Sequence, residues 1–175
     1  MTGYVALLRG VNVGGVTIKS GELREVFEEL GFDAVRTVLA SGNVRFEASV
    51  KDDAALKRRI EAALGDRFGY DAWIVLVTRD ALERVVDGFP FDEHDATRQP
   101  YVVFASKPEV IDELVEAAGD LDPDADPIRP GDSVLYWNPV KGTTLHTPFG
   151  KMLGKPRFAP TTTNRNLRTL HKILG

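Results

Sequence analysis

The apolar positions of this chain alternate between short continuous runs and helical spacing, and that alternation predicts its order of elements. Tyr4–Arg9 is mostly apolar and bounded by glycine, which predicts a strand. Leu23, Val26, Phe27 and Leu30 recur at i, i+3, i+4 and i+7, the spacing of one helical face. Ser20 stands where an N-cap is expected, Glu22 lies in the first turn, and Gly31 follows the last apolar position. Val35–Ala40 and Val44–Ala48 read as strands around Ser41-Gly42-Asn43, a tight-hairpin signal. Leu56, Ile60, Ala63 and Leu64 mark a second helix, and Trp73–Val77 another strand. Strand–helix–strand–strand–helix–strand is the ferredoxin-like order. It predicts a subdomain over residues 1–78.

The pattern in residues 79–175 is looser. Thr78 can cap a helix carrying Leu82, Val85 and Val86. A polar stretch, Phe89–Pro100, leads to a strand at Tyr101–Ala105. Ser106-Lys107-Pro108-Glu109 fits a capping box ahead of Val110, Ile111, Leu114 and Val115. Asp126–Arg129 and Val134–Trp137 predict a hairpin around Gly131-Asp132. A Gly/Pro-rich basic stretch then leads to a last helix, about Arg165–Leu174. The expected fold is α+β. A ferredoxin-like βαββαβ half precedes a second βαββ-type half and a C-terminal helix, the two packed as one compact unit.

Charge changes this picture. The net charge of −4 conceals an asymmetry along the chain. Residues 1–132 carry 15 Lys and Arg against 26 Asp and Glu, whereas residues 133–175 carry seven Lys and Arg and no acid. Such a stretch either meets an anionic partner or packs against the acidic remainder. Cysteine is absent, which excludes a disulfide framework, a thiolate nucleophile and cysteine metal sites and fits a cytoplasmic protein. No apolar run reaches the roughly 20 residues a membrane span needs, so no membrane association is expected.

The candidate chemistry begins at LLRGVNVGG, residues 7–15. A crossover helix makes the first two strands parallel, so their C-terminal ends share one edge of the sheet. The loop holding Arg9, Gly10, Asn12, Gly14 and Gly15 should therefore meet the turn holding Ser41, Gly42 and Asn43, beside a helix N-terminus that suits an anion. The glycine spacing fits neither G-x-G-x-x-G nor the P-loop, since Ile18 precedes Lys19-Ser20. Wide turns account for the glycines; Arg9 and Asn12 have no such explanation. At the other end, Thr161–Asn164 can cap the last helix, and Thr163, Arg165 and Asn166 would put hydroxyl, guanidinium and backbone donors at its start.

Other chemistries are poorly supported. A nucleophilic Ser41 needs a base, and no spacing links it to His94, His146 or His171. His171 shares an apolar stripe with Leu167, Leu170 and Leu174, which predicts a packed structural histidine. Asp120, Asp122, Asp124 and Asp126 alternate like a calcium loop but lack its glycine, so no metal site is expected, and no motif names a cofactor. The first half lacks the aromatic pattern of an RNA-recognition motif.

Taken together, Arg9-Gly10-x-Asn12-Val13-Gly14-Gly15 with Glu22-Leu23, Ser41-Gly42-Asn43-Val44, and Thr163-x-Arg165-Asn166-x-x-Thr169 resemble the bacterial DUF1697 family, a domain of unknown function. The resemblance runs along essentially the whole chain and implies an α+β protein with a ferredoxin-like portion and no established activity. Two departures stand out. Leu167 occupies a position where the family usually has tryptophan, and Thr143-Thr144-Leu145 lacks a lysine that members often carry. The expected function is a binding module for a phosphorylated small molecule or nucleic acid. The alternatives are a small enzyme using the same edge, with Arg9 as electrostatic stabiliser, and a protein-interaction module.

Overall fold

The computed structural model describes residues 1–11, 15–40 and 42–175. The chain folds as two compact units: residues 1–83 with 172–175, and residues 84–171. The protein is α+β, with two four-stranded antiparallel sheets.

The first unit runs β1 (Thr2–Leu8), α1 (Ser20–Glu29), β2 (Asp33–Thr37), β3 (Asn43–Ala48), α2 (Asp53–Phe68) and β4 (Ile74–Thr78). The sheet order β2-β3-β1-β4 is that of the ferredoxin-like fold. Period-2 alternation puts Tyr4, Ala6 and Leu8 of β1 with Val44, Phe46 and Ala48 of β3 on one face, against Leu23, Val26, Phe27, Leu56, Ile60 and Leu64 of the helices. Phe46 is the hub of this core, with ring centroids 4.7 Å from Phe32, 5.3 Å from Phe27 and 5.6 Å from Tyr4. Asp52 caps α2 by accepting from the N–H groups of Ala54 and Ala55, and Gly69 ends it in the left-handed conformation. Ser20 lies inside α1 rather than capping it. Lys19 occupies the cap position without a side-chain bond there.

Between the units in sequence, α3 (Arg79–Asp87) begins where the Thr78 hydroxyl accepts from Ala81 N–H at 3.2 Å. The second unit contains β5 (Tyr101–Ala105), α4 (Pro108–Ala117), β6 (Ile128–Pro130), β7 (Val134–Trp137), the short α5 (Pro148–Leu153), a 3-10 turn at Ala159–Thr161 and β8 (Thr162–Asn166). Helix α6 (Leu167–Leu174) ends the chain. The Ser106 capping box does not form: Lys107 is the cap of α4, with Pro108 in its first turn. The core of this unit gathers Val103, Ile111, Leu114, Leu135, Phe149 and Phe158 around Trp137.

The second sheet has the order β6-β7-β5-β8, which repeats the topology of the first. Its fourth strand corrects the expected start of the last helix. Residues 162–166 lie antiparallel to β5, with Thr163 opposite Phe104 and Arg165 opposite Val102. A polar run that could cap a helix instead has its backbone donors and acceptors satisfied by a ladder whose partner lies about 60 residues earlier in sequence. The last helix starts two residues after Arg165.

Candidate functional site

In the first unit, the end of β1 meets the turn before β3. Leu8 N–H donates to Gly42 O at 2.8 Å. Gly42 takes φ of +79°, and a Cβ there would sit 2.5 Å from Val11 Cγ2 and 2.9 Å from Leu8 Cβ. Glycine is therefore required twice at this position, by conformation and by contact. The turn is wider than a two-residue hairpin, because β2 ends at Thr37. Asn43 is fully buried; its Nδ2 donates to Val38 O at 2.8 Å, and its carbonyl accepts from Val38 N–H at 3.0 Å. Leu39 in the same turn has φ of +59° and is half exposed, an unusual conformation for a bulky residue.

The loop after β1 is tied down at its base. Val11 and Val16 form a parallel bridge, and Val11 and Ile18 are buried in the core. Gly10 has φ of +72°, and a Cβ on Gly15 would lie 3.3 Å from Gly10 O. The Arg9 guanidinium is 6.0 Å from the Trp73 ring centroid, within the range of a cation–π contact. The structure thus brings Gly10, Gly15 and Gly42 to the edge that holds Arg9. Asn12, Gly14 and Ser41 lie outside the described residues.

In the second unit, Thr163, Arg165 and Asn166 sit on β8. Arg165 is buried; its Nη1 donates to Thr163 Oγ1 at 2.7 Å and to Asn164 O at 3.0 Å. Burial lowers its pKa to about 10, which still leaves it charged at neutral pH. The capping role falls to Asn166, whose Oδ1 accepts from Arg168 N–H at 2.9 Å. His171 is not a core residue: it is exposed, and its Nε2 lies 2.7 Å from Glu93 Oε2.

The acid-free stretch and the acid-rich stretch before it fall largely in one unit. The first unit has 12 Lys and Arg against 13 Asp and Glu, and the second has 10 against 13. The asymmetry along the sequence is therefore not an asymmetry between units. Locally, Lys141, Lys151, Lys155, Arg157 and Arg168 are all exposed. Arg157 lies 3.6 Å from Glu113. The other four make no ion pair among the described residues.

One residue holding the basic stretch escaped the sequence reading. Asp126 is buried and accepts from Trp137 Nε1–H and from Phe149 N–H, each at 3.0 Å. It belongs to a run of alternating aspartates, and nothing in that alternation marks one as buried. Thr147 caps α5 by accepting from Gly150 N–H at 3.0 Å. A Cβ on Gly150 would fall 1.8 Å from Thr144 O, so the backbone of this stretch is closely folded on itself.

A family model described as "Protein of unknown function (DUF1697)" matches residues 1–136. Among solved structures, the conserved bacterial protein SP0830 from Streptococcus pneumoniae is similar over 99% of this chain and 97% of its own, with 24% sequence identity and a TM-score of 0.83. That likeness is one of fold. No curated protein matches the sequence. Among the described residues, no helix is long and apolar enough to cross a membrane.

Proposed function

The chain belongs to the DUF1697 family, and from that premise we propose that it is a cytoplasmic binding module for an anionic ligand, a phosphorylated small molecule or nucleic acid. One observation carries this reading. Lys141, Lys151, Lys155 and Arg168 are exposed in an acid-free stretch and make no ion pair among the described residues. Solvated cations without local carboxylates attract phosphates with little loss of existing contacts. At the β1 edge, Arg9, Asn12 and Ser41 would supply donors with Gly14 from the same loop, while Gly10, Gly15, Gly42 and Asn43 shape the backbone. Thr163, Arg165 and Asn166 would contribute a cation already held in place.

The test combines thermal unfolding against nucleotides and sugar phosphates with fluorescence anisotropy of labelled single-stranded RNA and DNA. The expected result is binding that weakens with salt. For a single-stranded polymer, replacing Lys141, Lys151 and Lys155 together by alanine should reduce the log–log salt slope by about 2. A small phosphorylated ligand would instead raise the melting temperature and lose that effect in Arg9→Ala. If no anion binds, or binding is unchanged in both variants, the reading fails.

A further inference from the structure

An arginine cluster lies on the opposite face of the first sheet from α1 and α2. Along β3, Val44, Phe46 and Ala48 enter the core, so Arg45 and Glu47 take the other face. The β2–β3 register sets Arg36 directly opposite Arg45. Arg79 opens α3 immediately after β4. These four side chains, with Gly3 leaving space on β1, line a cavity of about 230 Å³.

The local contacts neutralise this cluster only in part, through the Arg79–Glu83 ion pair. Like charges directly opposite in a ladder repel. Arg45 Nη1 donates to the carbonyls of Ile173 and Leu174, both at 3.2 Å, and Arg79 Nη2 to Leu174 O at 2.9 Å. These bonds suit the C-terminal end of α6, but carbonyls carry no formal charge. Arg79 Nε forms an ion pair with Glu83, 3.4 Å from its Oε1, and makes no hydrogen bond among the described residues. Arg36 is exposed, without an ion pair among the described residues, and takes no part in holding α6. A helix-end cap therefore explains Arg45 and Arg79 but not Arg36. Each guanidinium has five N–H donors, so several remain available to an oxyanion.

We infer that this cavity binds the phosphate group of a small phosphomonoester. Three guanidiniums line the cavity beside Glu47, and Glu83 pairs with Arg79, which leaves a net positive charge that attracts an oxyanion. Planar guanidinium forks match phosphate oxygens. The volume suits a small molecule rather than an extended polymer. The site shares no residue with the exposed lysines or with the β1 edge, so it stands or falls separately from the proposal above.

The experiment is an NMR titration of the full chain with inorganic phosphate and phenyl phosphate at matched ionic strength, with acetate as the control. Saturable amide shifts are expected at Gly3, Arg36 and Glu47. Arg36→Ala, at an exposed position, should weaken phosphate binding roughly five- to tenfold with the fold retained. Glu47→Gln removes the one carboxylate of the lining and should tighten binding. The inference is overturned if phosphate produces no saturable shift at these amides, if acetate binds as well, if Arg36→Ala leaves the affinity unchanged, or if Glu47→Gln weakens it.

Discussion

Asp126 accepts the indole N–H of Trp137 at 3.0 Å in the core of the second unit, where Asp126 is 1% exposed and Trp137 wholly buried. Its other oxygen takes Phe149 N–H, so one carboxylate joins β7 to the start of α5. Asp126→Ala strands two buried donors and should cost roughly 2–5 kcal/mol. Circular-dichroism melting should show a fall of roughly 5–15 °C for a chain of this length. A melt superimposable on that of the parent would mean that neither bond contributes.

Gly42 and Gly10 both adopt positive φ, but only Gly42 is crowded. Gly10→Ala should cost about 1–2 kcal/mol, the penalty of the left-handed conformation. Gly42→Ala adds a clash with Val11 and Leu8 and should reach about 3–5 kcal/mol. Urea unfolding of the two variants side by side tests the difference; equal losses would contradict the packing described for this edge.

Tyr4 is buried and donates to Asp53 Oδ1 at 2.7 Å. Burial first, and then that bond and the Asp53 charge, push its pKa up to about 12. The unfolded chain loses this proton near pH 10, and the folded chain holds it until about pH 12. The stability it contributes is therefore complete below about pH 10 and falls as pH rises through that window. Tyr4→Phe should flatten part of the decline, and absorbance titration of phenolate should lose a late-ionising tyrosine. Burial also raises Tyr70 and Tyr136, which keep their own share of the slope.

Lys141, Lys151 and Lys155 are exposed and make no ion pair among the described residues. Alanine at each should change stability by less than about 0.5 kcal/mol. Loss of anion binding in these variants, with melting unchanged, would place their role in recognition. A large loss of stability would assign them to the fold instead.

Much of the first unit was legible because its signals are local and redundant. The i, i+3, i+4 stripe of Leu23, Val26 and Phe27 and the alternation of Val44, Phe46 and Ala48 each name both an element and its buried face. The meeting of the β1 loop with the later turn followed from strand direction alone, and Gly42 lies against Leu8. The turn's width did not follow: the sequence carries Ser-Gly-Asn, while Val38 and Asn43 close it through a buried side chain. The arginine cavity was illegible for a different reason. Arg36, Arg45 and Arg79 are scattered in sequence and converge only through register.

The sequence by itself determined the α+β class, the order of elements through β7 and most of the core, since periodicity records which side of each element faces away from water. It also determined the acid-free C-terminal stretch. Tertiary structure alone decided that Thr162–Asn166 is a strand, that Arg165 is buried and His171 exposed, and that Asp126 sits in a core. Each of those outcomes depends on a partner distant in sequence: β5 for the strand, Glu93 for the histidine, Trp137 for the aspartate. A polar residue is compatible with either water or a buried partner, and only the folded chain supplies the partner.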